Sequence, residues 1–556
     1  MFVDVICIFA EDVGGPDEVY RMLSLWTTIG TASSLPCDIR PRVLIVVNGD
    51  NPSIIHRVLE ENCFLSDLQA QYSSLHKTFR DIRFSPLPSD ELSAEARFLS
   101  LNADISRQLH DARFTRLRHQ AMFCAAHMAE FFKLAARNLT NTSLGQFNFV
   151  AFAREENPLD GAFRSHLLNF LNIGAKTKIP YGGLASHIAS ALLMDAYPPG
   201  MHDFCPRSVF RTLFYDACYA AHRKAYSTKE LAITQCERIE ERFCSLFRHM
   251  SSTRVSSSEV HKVNLGDYQK YWGWLRSNST CLLCIRRSPE HILACGHSIC
   301  DQCVQIYGRL SLTAEEEYIV PDCILCGASK DLTVQLKPPT AAPRVVSIDG
   351  GGPRGIIPLE NLDILQRVLG PNLPLCHMID LAVGCSSGGL IALSRFMLRM
   401  DNESCKSLFK TLAKKVFSPS LRKRFLHSWV SDSFYDVQPL EEALKNHYTP
   451  TQRMFDAPMS GVSACKVAVT TTTIKDGDTF IFANYNGTAP HRVESAYGRL
   501  RPNNDQEPFL WQIARATTAA PPSTAPVANV PEPRCVDIPW DRINDARLCS
   551  GDISVS

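Results

Sequence analysis

The sequence lacks any strong excess of charge of one sign. It contains 58 lysines and arginines against 57 aspartates and glutamates, which gives a formal net charge of +1 at pH 7. A chain with balanced charge has no general electrostatic attraction to polyanions. We therefore expect no nucleic-acid partner.

Long hydrophobic runs are also missing. No stretch reaches the roughly 18 apolar residues of a transmembrane helix. The apolar start, residues 1–9, carries no basic segment and stops at Glu11 and Asp12, so it predicts a strand rather than a signal peptide. With nothing to mark the chain as secreted, the 21 cysteines are not expected to form disulfides. We expect a cytoplasmic protein without a transmembrane segment, peripheral at membranes at most.

A complete phosphate-binding loop is absent as well. Lys176 and Thr177 have the identities that end a G-x-x-x-x-G-K-[ST] motif, but Ala175 and Phe170 occupy the two glycine positions. These glycines let backbone N–H groups cradle a phosphate. We therefore expect no nucleotide binding at this segment.

The 556 residues predict a multidomain α/β protein of three or four domains. Apolar runs at 3–9 and 43–47, with an amphipathic segment at 17–29 between them, indicate a βαβ unit within an α/β region at 1–79. A helical region follows at 80–250, and we expect Phe114 and Leu117 of its predicted helix 107–138 to be core residues. The remaining predicted divisions are a polar linker at 251–280, a zinc module at 281–327, a proline-rich linker at 328–343, an α/β hydrolase domain at 344–530 and an unrelated tail at 531–556.

Four pairs of cysteine and histidine residues stand close together in the sequence. Their spacing is C-x2-C, C-x-H, C-x2-C and C-x2-C, and the candidate ligands are Cys281, Cys284, Cys295, His297, Cys300, Cys303, Cys323 and Cys326. Eight such ligands match two tetrahedral Zn²⁺ ions. So short a segment is not expected to fold without metal. Buried free thiols are a much weaker interpretation.

This order of pairs resembles a RING finger. The resemblance implies interleaved sites, with Cys281, Cys284, Cys300 and Cys303 on one zinc ion and Cys295, His297, Cys323 and Cys326 on the other. It also implies a ubiquitin-conjugating enzyme as partner, bound through an apolar groove that includes Leu283 and Ile299. Two departures count against ubiquitin transfer, because Ile324 replaces a common proline and Gly327 stands where a basic residue is frequent.

Two glycine-rich turns, each following an apolar run, carry the strongest functional signal. The segment 349–355 reads Asp-Gly-Gly-Gly-Pro-Arg-Gly, and the segment 384–388 reads Gly-Cys-Ser-Ser-Gly. A serine in G-x-S-x-G between a strand and a helix is typical of a nucleophile elbow, and the first turn offers backbone N–H donors for an oxyanion. The candidate residues are the nucleophile Ser386, the oxyanion-hole residues Gly350, Gly351, Gly352 and Arg354, and the motif residues Asp349, Gly355, Gly384 and Gly388.

The first turn also fits the dinucleotide-binding pattern G-x-G-x-x-G. That interpretation requires an acidic residue about 20 residues further on, at the end of a second strand. The sequence there is Leu-Gly-Pro-Asn-Leu at 369–373, which has no such acid. The dinucleotide interpretation therefore fails.

Together the two turns resemble the patatin-like phospholipases, in particular those of filamentous fungi. The resemblance continues at 434–441, 467–470, 480–485 and 510–521. It implies an α/β hydrolase domain, with a parallel sheet and flanking helices, that cleaves lipid acyl esters at a membrane surface through Ser386.

The family activates its serine with one aspartate, in an Asp-Gly-Gly or Asp-Gly-Ala motif soon after the Ala-Ala-Pro stretch. No such motif follows Pro521, and Asp537 is not followed by glycine. We therefore expect weak or absent activity from a truncated domain.

Two alternatives remain open. One is a RING-type ligase or adaptor with a non-catalytic lipase-like domain. The weaker one is an esterase with a histidine base, for which His427, His447 and His491 are available.

Overall fold

The structure is a computed structural model of the chain. The residues that it describes are 3–29, 36–50, 75–141, 148–155, 157–226, 228–312, 314–338, 340–417, 438–456, 458, 461–462, 465–472, 478–486, 498–499 and 507–519. The chain forms two compact units. The first contains 1–160 and 177–264, and the second contains 161–176 and 265–556.

A three-stranded parallel sheet opens the first unit. Strands β1 (Val5–Phe9), β2 (Arg42–Asn48) and β3 (Asp81–Leu87) lie in the order β1-β2-β3, and the helix Pro16–Ile29 connects the first two. The predicted βαβ unit is thus present. Its predicted end at residue 79 is wrong, because β3 extends the sheet. Arg83 and Pro86 interrupt the apolar pattern of β3, so its sequence does not resemble a buried strand.

Helices make up most of the remaining first unit. Their bounds are Ala10–Val13, Leu75–Thr78, Ala94–Arg118, Ala125–Asn141, Phe149–Ala153, Tyr181–Ala196, Pro206–Leu213, Tyr215–Ala225 and Lys229–Thr253. The predicted helix 107–138 is therefore two helices. Phe114 and Leu117 are 58% and 56% exposed, contrary to prediction. The buried stripe of that helix instead contains Gln108, Ala112 and Arg116.

The interval 251–280, predicted as a linker, contains helical structure. Helices span Ser257–Asp267 and Gln269–Trp272. In the second unit, Trp272 is buried against Phe170 of the helix Phe163–Lys176, with ring centroids 6.0 Å apart. The serine-rich start of this interval predicted a linker, although apolar residues follow it.

The cysteine-rich segment combines small sheets with one helix. A hairpin of β4 (His291–Ile292) and β5 (Ser298–Ile299) precedes the helix Asp301–Tyr307. An antiparallel sheet of β6 (Arg309–Leu310), β7 (Glu317–Asp322) and β8 (Ser329–Gln335) follows. Strand β8 lies inside the interval 328–343 that was predicted as a linker, so this interval is not a linker throughout.

A five-stranded sheet forms the centre of the C-terminal region, in the order β13-β12-β11-β10-β9. Strands β9 (Val345–Ile348), β10 (Leu381–Cys385) and β11 (Lys466–Thr472) are parallel, as the resemblance implies. Strand β12 (Thr479–Ala483) runs antiparallel to β11, and β13 (Gly498–Arg499) pairs parallel with β12. The parallel strands bring their carboxyl ends to one edge of the sheet.

Helices cover this sheet. Their bounds are Ile356–Leu369, Leu375–Met378, Ser387–Ile391, Asn402–Phe417, Gln438–Tyr448 and Leu510–Thr517, with a π-helical segment at Ala392–Met397. Buried side chains of the sheet and helices form one core, which includes Ala382, Val467 and Phe396. None of the helices among the described residues has the length and apolar character needed to cross a membrane.

Candidate active site

Ser386 lies in a sharp turn between β10 and the helix Ser387–Ile391. Its backbone has φ 52° and ψ −121°, a conformation that is strained for a residue other than glycine. The flanking glycines are required by close backbone approaches. A Cβ atom at Gly384 would lie 2.3 Å from the Gly388 carbonyl oxygen, and one at Gly388 would lie 2.0 Å from the Ile348 carbonyl oxygen. The G-x-S-x-G pattern is therefore a steric requirement of this turn.

The turn after β9 lies beside Ser386. Gly384 of β10 pairs with Ile348 of β9, so the two strands end at the same level. A Cβ atom at Gly350 would come within 2.8 Å of the Ser386 Cβ atom. Only a glycine backbone can approach the serine so closely, so the glycine loop lies directly against the serine side chain.

The remaining motif residues surround this contact. Gly352 has a positive φ of 55°. A Cβ atom at Gly355 would lie 2.5 Å from Cζ of Phe409, so this glycine lets the loop pack closely. Gly351, Asp349 and Arg354 are exposed, and Ser386 is half-buried. The loop and the serine therefore face solvent, where a substrate can enter.

Thr517 supports the serine turn, and the sequence analysis did not single it out. The Ser386 backbone N–H donates a hydrogen bond to Thr517 Oγ1 over 2.8 Å. The same hydroxyl donates to the Thr470 carbonyl oxygen, also over 2.8 Å. The only available signal was that Thr517 falls inside the segment 510–521 that resembles the family.

His447 is the one candidate histidine base among the described residues. It lies on the helix Gln438–Tyr448, and its Nε2 atom is 3.4 Å from Ser394 Oγ. Burial lowers the pKa of this imidazole. It therefore contacts Ser394 and not Ser386, which counts against the histidine-base alternative. His427, His491 and Asp537 lie outside the described residues.

The eight candidate metal ligands come together in two groups of four. One group contains Cys281, Cys284, Cys300 and Cys303, and the other contains Cys295, His297, Cys323 and Cys326. Within each group all ligand atoms lie within 4.8 Å of one another. This is the interleaved pairing that the RING resemblance implies.

The ligand geometry fits tetrahedral zinc. Zn–S bonds of about 2.3 Å place two sulfurs roughly 3.8 Å apart. The Sγ atoms of Cys281 and Cys303 are 3.8 Å apart, and those of Cys284 and Cys300 are 3.7 Å apart. His297 directs Nδ1 to the Sγ atom of Cys323 at 3.4 Å, while its Nε2 atom lies 3.0 Å from the Trp272 carbonyl oxygen. A carbonyl partner of this kind fixes the tautomer of a ligating imidazole.

The predicted groove for a ubiquitin-conjugating enzyme is not exposed. Leu283 and Ile299 are 2% and 3% exposed, so neither contributes to an open apolar surface. Both belong to the cysteine-rich segment and are buried there together with Leu282, Ile285 and Val304. This part of the prediction is wrong.

Residues 346–537 match the family model described as Patatin-like phospholipase. This match extends past the predicted domain end at 530 and includes Asp537.

Three relatives illustrate the similarity. Human calcium-independent phospholipase A2-gamma is 30% identical over 188 residues, which is 32% of this chain and 22% of that protein. Phospholipase A I of Arabidopsis thaliana is 32% identical over 80 residues, 14% of this chain and 6% of that protein. Patatin-like protein 2 of Oryza sativa subsp. indica is 32% identical over 138 residues, 19% of this chain and 33% of that protein.

The chain thus spans about a fifth of the human phospholipase that it matches. The family match begins within β9, at residue 346, and includes both glycine-rich turns. The geometry of these turns agrees with the match, and both support a patatin-like phospholipase domain at residues 346–537.

Proposed function

We propose that this protein is a serine acyl hydrolase of the phospholipase A type, with Ser386 as the nucleophile. The observation that carries the proposal is the strained backbone of Ser386 beside the glycine loop of β9. Ser386 Oγ attacks the ester carbonyl carbon of a lipid while its proton passes to a base. The alcohol leaves, and water then hydrolyses the acyl-enzyme.

The developing oxyanion is stabilised by the backbone amides of Gly350, Gly351 and Gly352, with the positive charge of Arg354 nearby. The Ser386 amide is already bonded to Thr517 Oγ1, so the donors must come from elsewhere. The loop approaches Ser386 more closely than any side chain would allow. This contact supports the assignment of the donors to the loop.

Asp537 is the aspartate that we propose to test as the base. It lies inside the matched region but lacks the glycines of the family motif. The test is the rate at which a fluorophosphonate labels Ser386, with Ser386→Ala as the control. Rapid labelling that Asp537→Asn abolishes supports this base. Slow labelling that Asp537→Asn leaves unchanged supports a domain without a functional base, and labelling of Ser386→Ala refutes the nucleophile.

A lipid surface is the proposed site of action. The helix Ile356–Leu369 begins at the end of the glycine loop and exposes Ile357, Ile364 and Val368, the last to 79%. Their spacing of seven and four residues places them on one face of the helix. The stripe therefore continues from the active-site loop as an apolar surface.

Flotation with phosphatidylcholine vesicles tests this assignment. Ile364→Asp and Val368→Asp should each reduce the bound fraction several-fold, because a charge on the stripe opposes insertion. Leu312→Asp changes a fully exposed leucine outside the stripe and is the matched control. Equal binding by all variants would exclude the stripe.

The cysteine-rich segment is proposed to hold two structural Zn²⁺ ions through the eight residues named above. The two groups of ligands and their S–S distances support this assignment. Metal analysis of the purified chain should give about two zinc ions. A clearly lower content would refute it.

The interleaved ligand groups also favour one second candidate function, a RING-type ligase or adaptor. Burial of Leu283 and Ile299 supports a structural role over recruitment of a ubiquitin-conjugating enzyme. An autoubiquitination assay with a panel of conjugating enzymes separates the two, because a structural module should show no transfer.

A further inference from the structure

The hydroxyl of Thr517 connects three parts of the fold. Thr517 is the last residue of the helix Leu510–Thr517 and is buried. Its Oγ1 atom accepts the hydrogen bond from the Ser386 N–H and donates one to the Thr470 carbonyl oxygen, each over 2.8 Å. One side chain thus joins the serine turn, strand β11 and the helix Leu510–Thr517.

This bridge lies where the pairing of β10 and β11 ends. The last paired residues are Cys385 and Thr470. One residue later the chain leaves the sheet through Ser386, so the pairing of β10 with β11 offers the Ser386 N–H and the Thr470 carbonyl no further partner. A buried amide or carbonyl without a hydrogen bond costs about 1–3 kcal/mol. The Thr517 hydroxyl satisfies both groups at once.

The elbow is also shaped to accommodate Thr517. A Cβ atom at Gly389 would lie 2.9 Å from Thr517 Oγ1 and 3.0 Å from its Cγ2 atom. Gly389 is outside the G-x-S-x-G motif, and its lack of a side chain leaves room for the threonine.

We propose that Thr517 is a positioning residue for the nucleophile, an inference that rests on the acyl-hydrolase function proposed above. The hydroxyl holds Ser386 in its strained conformation, which persists only when the surroundings fix it. It also occupies the Ser386 amide, so that the oxyanion is bound by the glycine loop.

The test compares Thr517→Val and Thr517→Ser in the full chain. Valine keeps the branched shape and removes the hydroxyl, whereas serine keeps the hydroxyl and removes a methyl group. Hydrogen exchange at the Ser386 amide, resolved by fragmentation mass spectrometry, should be about 10- to 100-fold faster in Thr517→Val, as expected for one lost buried hydrogen bond. It should stay near the wild-type rate in Thr517→Ser.

Kinetics provide the second measurement. The kcat for ester hydrolysis, and the labelling of Ser386 by a fluorophosphonate, should fall by a similar factor in Thr517→Val. The KM should not change, because Thr517 does not line the open face of the site, and Thr517→Ser should retain most of the rate.

The possible outcomes separate this inference from the proposed function. Unchanged exchange at the Ser386 amide in Thr517→Val overturns the inference, whatever the activity. Equal losses of kcat in Thr517→Val and Thr517→Ser, together with a lowered melting temperature, also overturn it, because they indicate that Thr517 has only a packing role. If no variant, including the wild type, hydrolyses esters while the exchange difference is present, the hold on Ser386 is supported and the acyl-hydrolase proposal is refuted.

Discussion

Loss of metal from the cysteine-rich segment should destabilise the phospholipase domain, although no candidate ligand lies in its active site. Four buried or partly buried hydrogen bonds join the two. Asn278 Nδ2 donates to Glu507 Oε2 over 2.8 Å, and Asn486 Nδ2 donates to the carbonyl oxygens of Asn278 and Pro289 over 2.8 and 2.7 Å. The Asn486 amide also donates to Glu290 Oε2 over 3.3 Å. These contacts hold the segment, with the residues just before it, against the sheet near the start of β11 and the end of β12.

The expected loss of stability of the domain follows from these four hydrogen bonds. Structural zinc contributes about 10–16 kcal/mol to the folding of small zinc modules, so the segment should unfold when the metal is removed. The four hydrogen bonds are then lost, at about 0.5–1.5 kcal/mol each. For a domain of 150–250 residues, 1 kcal/mol lowers the melting temperature by about 2–4 °C. We therefore expect the phospholipase domain to melt roughly 5–20 °C lower.

The assay is hydrogen exchange of peptides covering β11 and β12, combined with thermal unfolding, before and after chelation. Exchange in both strands should accelerate, and added zinc should reverse the change. Cys303→Ser removes one ligand and should reproduce the effect, whereas Cys376→Ser changes a buried cysteine outside both ligand groups and serves as the control. If the metal-free chain retains wild-type exchange in β11 and β12, the reasoning is refuted.

Three further predictions address single residues. Gly351→Val should lower the rate of ester hydrolysis about 10²-fold by blocking the loop amides, with no change in the circular dichroism spectrum. Gly388→Ala should cost about 1–3 kcal/mol in urea unfolding, because its Cβ atom would meet the Ile348 carbonyl oxygen at 2.0 Å. Burial raises the pKa of Glu507 from 4.5 to about 7, so the stability that this carboxyl contributes is full below pH 4.5 and is lost as the pH rises through 7. Glu507→Gln should reduce this dependence of stability on pH, measured as the midpoint of urea unfolding between pH 4 and 8.

The features that could be predicted from the sequence are those fixed by local chemistry. The G-x-S-x-G turn requires glycines at 384 and 388 because backbone atoms approach within 2.3 Å of the missing Cβ positions. The spacing of the cysteines and His297 likewise predicts four local pairs of ligands, whereas the interleaved grouping of these pairs followed from the resemblance to a RING finger. Each motif lies within a few residues, so the pattern indicates the local structure.

Contacts between distant residues could not be predicted in this way. Thr517 meets Ser386 across 131 residues, and Asn486 meets Asn278 across 208. Neither asparagine belongs to a recognisable motif. Phe114 illustrates the same difficulty within a helix, since its apolar spacing predicted burial, whereas tertiary packing buries the face that contains Ala112 and Arg116.

The helix Leu510–Thr517 lies between a contact with the cysteine-rich segment and a contact with the nucleophile Ser386. Glu507, three residues before the helix, binds Asn278 at the cysteine-rich segment, and Thr517 at its end binds the Ser386 amide. Eight helical residues span about 12 Å as one rigid element. The position of Thr517 therefore depends on how the residues before the helix are held. The candidate metal centres and the nucleophile are separate sites, and we expect folding of the first to support the geometry of the second through this helix.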